Sequence, residues 1–309
     1  MKRVLIVIDV DGWAWDRMAR GIQKYAPDHI EVDVVNQIEF GKFNANAESL
    51  AKYDGICQCS WVEATTGLQF DGKTTTWVAS HGLEFDYPFA ETSYYPPRIA
   101  TQLRNRSFAK ARLPCFDGLL CVSERLREIA GEFHDNCVRV VPGVDREVFV
   151  RREFKPLSDP PIIGWCGQKL GRTKGYSEVL KPLMDRMSDS VEWKINSRGA
   201  GDCLSQQEMV EWYHSLDLFL STSFSEGCQM TVLEAISCGV PVIGTDSGCL
   251  RECVSESQLV PAYNDSLTAK GAVNHLEELL MNGSFGTVDI YAPYFDWKTR
   301  ALEWLEAML

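Results

Sequence analysis

The stretch SFSEGCQMTVLEAISCGVPV, residues 223–242, decides the fold of this chain. It predicts the end of a strand, a glycine-containing loop, a helix near Met230–Cys238, a helix stop at Gly239 and a second strand. The residues at helical spacing that would face a core are Met230, Leu233, Ser237 and Val240. A strand–helix–strand unit of this kind builds parallel sheets that are covered by helices on both faces.

The same alternation of apolar strands and helical patterns runs through the whole chain. The predicted strands are Arg3–Ile8, Glu31–Val35, Gly55–Cys59, Thr75–Ser80, Gly118–Val122, Val138–Val141, Ile162–Cys166, Val191–Ile195, Leu216–Leu220 and Val240–Gly244. Charges and three prolines at Asp145–Pro161 predict a linker. The sequence therefore predicts an α/β fold of two Rossmann-like domains facing a central cleft, over residues 1–150 and 151–290.

Composition narrows the class of protein. The 309 residues are 45% hydrophobic and carry a net charge of −12, which disfavours nucleic acid or an anionic membrane as the main partner. The sequence contains no apolar run of about 18 residues, so no transmembrane helix is predicted. The eleven cysteines follow no zinc-like spacing, so we expect reduced thiols in a cytoplasmic protein.

Two glutamates frame the helix of the deciding stretch. Glu226 precedes the helix and Glu234 lies within it. The N-terminal end of a helix carries partial positive charge and free N–H groups, which suits a phosphate, and a carboxylate accepts hydrogen bonds from sugar hydroxyls. The residues predicted to hold a nucleotide sugar here are Gly227, Cys228, Gln229, Met230, Thr231 and Glu234. The alternative is that Glu226 only caps the helix and Glu234 is only solvated.

Glu226, seven further residues and Glu234, followed by Ala235 and CGVPVI at 238–243, resemble the E-x7-E signature of family 4 glycosyltransferases. VPGVD at 141–145 and GLLCVSE at 118–124 resemble two further segments of that family. Residues 291–309 resemble its last helix, which crosses back to the N-terminal domain, and we expect an apolar face built on Phe295, Trp297 and Leu302. The resemblance implies a GT-B fold, a nucleotide-diphosphate-sugar donor, retention of configuration and no required metal. It assigns the ribose diol to Glu234 and an approach to the donor sugar to Glu226.

The loop that begins at Gly167 is similar to the family's glycine loop, whose arginine and lysine clamp the donor diphosphate. Lys174 aligns with the lysine, but Gln168 stands where the arginine is usual, and the loop is one residue longer. Arg172 is the candidate replacement, and it could instead point to solvent, with Lys169 or backbone amides in its role. We therefore predict Lys174 and Arg172 as residues that stabilise the leaving diphosphate.

In the N-terminal half, Gly12 follows the first strand and His81 follows the predicted strand Thr75–Ser80. The resemblance implies that Gly12 lies close to the donor or acceptor and that His81 acts near the reacting sugar. Asp9 and Asp11 have the letters of a D-x-D metal motif, but we interpret them as a turn, and no metal site is predicted. Residues 98–112 hold five basic side chains and no acid, which favours either a solvated helix or attraction of an anionic acceptor.

The sequence thus predicts a retaining glycosyltransferase that needs no metal and uses a nucleotide-diphosphate sugar, with an acceptor of unknown class. One alternative is a nucleotide-sugar epimerase of the same architecture, which would turn over its donor without an acceptor. The other is a non-catalytic nucleotide-sugar-binding protein, which the missing arginine at Gln168 keeps open.

Overall fold

A computed structural model of the chain describes residues 1–12, 14–44, 47–79, 106–153, 155–169, 173–197, 204–263, 266–283 and 292–309. Among these residues, the chain divides into two compact units. The first contains the described residues up to Gly143 together with Tyr294–Leu309, and the second contains the described residues from Val144 to Pro293. Each unit is built on its own sheet.

The first unit holds a six-stranded parallel sheet in the order β2-β1-β3-β4-β5-β6. Its strands are β1 (Lys2–Ile8), β2 (Ile30–Asn36), β3 (Gly55–Gln58), β4 (Lys73–Val78), β5 (Gly118–Cys121) and β6 (Cys137–Arg139). Val4–Ile8 of β1 are fully buried, as expected for a continuous apolar run in the middle of a parallel sheet.

The second unit holds a five-stranded parallel sheet in the order β11-β10-β9-β7-β8. Its strands are β7 (Ile162–Gly167), β8 (Glu192–Ser197), β9 (Leu218–Ser221), β10 (Val242–Thr245) and β11 (Leu259–Val260). β8 lies on one side of β7, and β9, β10 and β11 follow in order on its other side. The carboxyl ends of β7 and β9 therefore lie side by side where the strand order reverses. Ligands of doubly wound sheets bind at this edge.

Helices join the strands in each unit. The described α-helices are α1 (Ala14–Lys24), α2 (Gln37–Asn44), α3 (Ala47–Leu50), α4 (Arg106–Arg112), α5 (Glu124–Ala130), α6 (Lys181–Arg186), α7 (Gln206–Ser215), α8 (Met230–Ser237), α9 (Leu250–Cys253), α10 (Ser266–Met281) and α11 (Trp297–Met308). A π-helical turn, Tyr176–Leu180, precedes α6. Ser123 caps α5 by accepting a hydrogen bond from the backbone N–H of Leu126, as its position before the helix predicts.

The last helix packs within the first unit. A β-carbon added to Gly21 of α1 or to Gly143 would lie 2.3 or 2.4 Å from the ring of Trp297, so both positions require glycine. Trp304 donates its indole N–H to the carbonyl of Val141 at 2.8 Å. Leu302, which we expected on the buried face, is 40% exposed, and that expectation is wrong. The buried stripe follows the 3.6-residue period and consists of Trp297, Ala301, Trp304, Leu305 and Met308.

The segment predicted as a linker is attached to the second unit. Arg152 donates to the carbonyls of His214, at 3.1 Å, and Leu216. Lys155 forms an ion pair with the buried carboxylate of Asp217 at 2.9 Å. The charges that made this segment resemble a solvated linker therefore satisfy backbone and carboxylate groups at the end of α7 and the start of β9.

Candidate donor-binding site

The candidate site begins where the loop after β7 meets the end of β9. Phe224 donates its backbone N–H to the carbonyl of Thr173 at 2.8 Å, and the Thr222 hydroxyl donates to the carbonyl of Lys174 at 2.8 Å. The indole of Trp165 in β7 donates to the Thr222 hydroxyl oxygen at 3.0 Å. These hydrogen bonds hold Lys174 beside the stretch that contains Glu226.

Gly175 makes this close approach possible. Its φ of 66° lies in the left-handed region, where a side chain is strained. An added β-carbon would also lie 2.0 Å from the carbonyl oxygen of Thr222 and 2.2 Å from the hydroxyl of Tyr263. That hydroxyl donates to the same carbonyl at 2.9 Å, so the space is fully occupied. Only glycine fits after Lys174.

Lys174 and Glu226 form the central ion pair of the site. The lysine Nζ lies 2.5 Å from Oε1 of Glu226, with the two side chains 30% and 12% exposed. The lysine stem lies beside the end of β7, because a β-carbon added to Gly167 would be 3.1 Å from its Cγ. Two residues that are 52 positions apart in sequence therefore present one cation and one carboxylate at the same sheet edge.

The N-terminal end of α8 lies next to this pair. Gln229 is the residue that precedes the helix, yet its side chain makes no capping hydrogen bond. Its amide oxygen accepts from the Ser221 hydroxyl at 2.6 Å, and its amide nitrogen donates to the Ser247 hydroxyl at 3.1 Å. The buried Gln229 side chain thus fixes the loop from both sides and leaves the start of the helix uncapped by its own residue.

Glu234 occupies a different environment from Glu226. It is 5% exposed, so the alternative of a merely solvated glutamate is wrong. Its Oε2 accepts a hydrogen bond from the Tyr213 hydroxyl of α7 at 2.9 Å. Burial and the charge of Glu234 raise the pKa of Tyr213 well above its ordinary value, so the phenol remains a donor at neutral pH. No sequence signal indicates this pairing, because a tyrosine on the buried face of a helix is normally a packing residue.

Cys228 carries a feature that sequence reasoning missed. It forms a disulfide with Cys249, with the two Cα atoms 4.8 Å apart. The expectation of reduced thiols is therefore wrong for these two cysteines. The eight cysteines found as free thiols in the described residues are Cys57, Cys59, Cys115, Cys121, Cys137, Cys166, Cys238 and Cys253.

Two predicted catalytic residues, His81 and Arg172, lie outside the described residues. Gln168 is half-buried after β7, and Lys169 lies 5.3 Å above the ring of Tyr176. The structure thus brings Lys174, Glu226 and the start of α8 together in the second unit. The clamp role predicted for Arg172 stays a prediction.

Gly12 lies in the first unit with a φ of 79°, and its backbone N–H donates to Asp16 at 2.8 Å. Its turn therefore requires glycine, and an added β-carbon would meet no atom within 4 Å. Burial raises the pKa of Asp9 above its ordinary value, and Asp11 accepts a hydrogen bond from Asn36 at 3.1 Å.

The basic segment 98–112 is described from Arg106 onward. Arg112 does not point to solvent: it donates to the carbonyls of Trp61, at 2.6 Å, and Ala64. In the described ranges, no group of three or more His, Cys, Asp or Glu side chains could hold a metal ion. None of the helices in those ranges is long and apolar enough to cross a membrane.

The chain is similar to known proteins in the region of this site. Residues 176–282 match the family described as "Glycosyl transferases group 1". A D-inositol 3-phosphate glycosyltransferase of Paenarthrobacter aurescens (strain TC1) is 29% identical over 139 residues, which cover 42% of this chain and 34% of the relative. The curated relatives are matched over only 17% to 45% of their own length.

Solved structures with low identity share the fold over almost the full chain. A sucrose-phosphate synthase from Thermosynechococcus elongatus has a TM-score of 0.65 at 14% identity, covering 99% of this chain and 98% of its own. The Anabaena protein HepE, solved in complex with UDP-glucose, has a TM-score of 0.61 at 14% identity, covering 99% and 100%.

These findings confirm two predictions. The fold class, α/β with two Rossmann-like domains of the GT-B type, is confirmed by the two parallel sheets and by the likeness to solved glycosyltransferases. The predicted resemblance to glycosyltransferases is confirmed over residues 176–282, which contain both Glu226 and Glu234 and match the group 1 glycosyltransferases.

Proposed function

We propose that this chain is a retaining glycosyltransferase that binds a nucleotide-diphosphate sugar in its second unit. The observation that carries the proposal is the ion pair between Lys174 Nζ and Glu226 Oε1, which are 2.5 Å apart. Glu226 lies in the loop that leads into α8. A diphosphate is attracted both by a lysine and by a helix N-terminus. The membership of Glu226 and Glu234 in the matched family segment supports the same assignment.

Each group has a chemical role in the proposed reaction. The bond between the anomeric carbon and the diphosphate oxygen breaks, positive charge develops on the sugar, and negative charge grows on the leaving diphosphate. Lys174 and the amides at 227–231 stabilise that negative charge in a preorganised site. Glu234 accepts hydrogen bonds from the ribose diol, and Glu226 faces the donor sugar. We also propose that the lysine and the amides replace a metal ion, so that EDTA leaves turnover unchanged.

The binding part of the proposal is tested with a panel of nucleoside diphosphates and their sugars. The matching ligand is expected to stabilise the protein by about 2.7 kcal/mol at 100 times its Kd, because it binds only the folded chain. Denaturant titration with and without each ligand measures this difference. If no nucleoside diphosphate or nucleotide sugar changes the free energy of unfolding, the second unit is not a donor site.

The type of activity is tested by following the donor. A transferase releases nucleoside diphosphate at a rate that depends on the acceptor. The epimerase alternative converts the donor sugar without any acceptor, and the binding-protein alternative leaves the donor intact. Donor consumption measured with and without a panel of glycan, lipid-linked and small-molecule acceptors separates the three.

Tyr213→Phe tests whether the tyrosine orients Glu234 toward the nucleotide. Removing the hydroxyl takes away one hydrogen-bond donor to the Glu234 carboxylate, and it is expected to weaken nucleoside diphosphate binding by about 0.5–1.5 kcal/mol, roughly 2- to 12-fold in Kd. KM for the donor should rise while kcat changes little. Trp212→Phe, at the neighbouring position of α7, is the matched control. Equal Kd values for Tyr213→Phe and the unaltered protein would remove this role.

A further inference from the structure

Three cysteines lie together next to the candidate donor site. The disulfide between Cys228 and Cys249 joins the loop before α8 to the residue that precedes α9, 21 positions later. Cys253, at the end of α9, places its Sγ 3.7 Å from Sγ of Cys249. Its thiol also lies 3.1 Å from the carbonyl oxygen of Cys249. The Cys253 thiol, which is not part of a disulfide, therefore lies beside one sulfur of an existing disulfide.

The disulfide connects two segments that contact each other at Glu226. Gly248 has a φ of 56°, and a β-carbon there would lie 2.8 Å from Cβ of Glu226 and 2.7 Å from the carbonyl oxygen of Gly227. One residue earlier, Ser247 accepts the hydrogen bond from Gln229 at 3.1 Å. The covalent bond thus holds the 247–249 loop against the residues that carry the Lys174–Glu226 pair.

We propose that Cys228, Cys249 and Cys253 form a thiol–disulfide exchange site. The Cys253 thiolate attacks Sγ of Cys249, a bond forms between Cys249 and Cys253, and Cys228 leaves as a thiolate that takes up the proton lost by Cys253. The exchange conserves electrons and needs no external oxidant or reductant. Full opening to three thiols requires two electrons and two protons, which an external dithiol supplies as it becomes a disulfide.

The attack falls on Cys249 because its Sγ lies 3.7 Å from that of Cys253. Cys249 and Cys253 are 3% and 2% exposed, whereas Cys228 is half-buried. Exchange therefore moves the disulfide to two buried sulfurs at the two ends of α9 and leaves the more accessible sulfur, Cys228, as the thiol. While Cys228 is bonded to Cys249, the loop that follows Glu226 is tethered. Once Cys249 is bonded to Cys253, that loop is no longer tethered. The consequence for donor affinity rests on the proposed function, but the exchange itself does not.

Peptide mapping distinguishes the two disulfides. Cleavage after Glu226, Glu234, Arg251 and Glu252 separates the three cysteines onto peptides 227–234, 235–251 and 253–256. The oxidised protein is quenched in acid, alkylated, digested with trypsin and a glutamate-specific protease, and analysed without reduction. Exchange predicts two linked species, 227–234 with 235–251 and 235–251 with 253–256. When the second species forms, peptide 227–234 is released unlinked, with the alkyl group on Cys228. Peptide 235–251 also contains Cys238, so fragment ions must show that Cys249 is the linked residue and Cys238 the alkylated one.

Two variants sharpen the test. Cys253→Ser is expected to abolish the 235–251 to 253–256 species and to retain the other. Cys228→Ser, mildly oxidised with glutathione disulfide, is expected to form the Cys249–Cys253 bond. Alkylation of both Cys249 and Cys253 in oxidised Cys228→Ser, together with only the Cys228–Cys249 species in the unaltered protein, would overturn the exchange. If Cys228→Ser does not fold, the mapping of the unaltered protein decides alone.

Donor affinity supplies the second measurement. UDP, GDP and ADP are titrated into oxidised Cys253→Ser, whose tether cannot exchange, and into the same variant after reduction by a dithiol. The proposal expects a several-fold weaker Kd after reduction for the nucleotide that binds. Equal Kd values would overturn the link to the donor site. Failure of all three nucleotides to bind in either state would count against the proposed function, while the peptide map still tests the exchange.

Discussion

Lys174→Ala is expected to lower kcat by about 100- to 1,000-fold, the usual effect of removing one donor from a site that stabilises developing negative charge. The effect should fall on kcat more than on donor affinity, because the leaving diphosphate carries more negative charge in the transition state than in the bound donor. Single-turnover transfer with saturating donor and acceptor measures the chemical step, and calorimetry with the same protein measures donor Kd.

Controls separate this effect from a loss of fold. Lys181→Ala removes an exposed lysine that pairs with Asp185 one helical turn away on α6, and it should leave kcat unchanged. Lys174→Arg keeps the positive charge and should recover part of the rate, although the arginine fork differs in shape from an ammonium group. A Lys174→Ala protein that is folded and transfers sugar at the normal rate would place the diphosphate elsewhere.

Glu234→Ala is expected to weaken binding of the bare nucleoside diphosphate and of the nucleotide sugar to a similar extent. A lost hydrogen bond to a charged group is worth about 1.5–3 kcal/mol, which is roughly 12- to 150-fold in Kd. The similarity of the two losses is the diagnostic part, since the ribose is common to both ligands and the sugar is not. Calorimetric titration of both ligands measures the two values.

The buried position of Glu234 calls for a second variant. Alanine leaves the Tyr213 hydroxyl without its carboxylate partner inside the protein, whereas Glu234→Gln keeps an acceptor oxygen for it. Glu234→Gln should therefore preserve stability and still weaken binding. Glu278→Ala, on the exposed face of α10, is the control for a lost negative charge. Unchanged affinity for the nucleoside diphosphate in Glu234→Gln would exclude the glutamate from the ribose site.

Predicted and observed strands agree closely because each strand is a short apolar run between turn residues. Ile162–Cys166 was predicted and Ile162–Gly167 is observed, and the other predicted strands also overlap those of the structure. A central strand of a parallel sheet is buried on both faces, so it consists of consecutive apolar residues that can be recognised from a short stretch of sequence. Leu302 is exposed because it lies off the 3.6-residue stripe of buried side chains on the last helix, although it is apolar.

The candidate site was only partly accessible from sequence. Glu226 and Glu234 are separated by a fixed number of residues along one loop and helix, so their motif is visible without a structure. The side chains with which these two glutamates pair cannot be identified from the sequence. Lys174 reaches Glu226 from 52 positions away, and Tyr213 reaches Glu234 from 21 positions away on another helix.

By itself, the sequence determined the alternation of strands and helices, the split into two Rossmann-like parts and the glycine-framed helix with its two glutamates. Periodicity and turn chemistry act over a few residues, so they can be read along the chain. Only the tertiary structure decided that Lys174 pairs with Glu226, that Tyr213 holds Glu234, and that Cys228 bonds to Cys249 beside Cys253. These contacts depend on which strand ends and loops the sheet order brings side by side, and that order is set by packing across the whole unit.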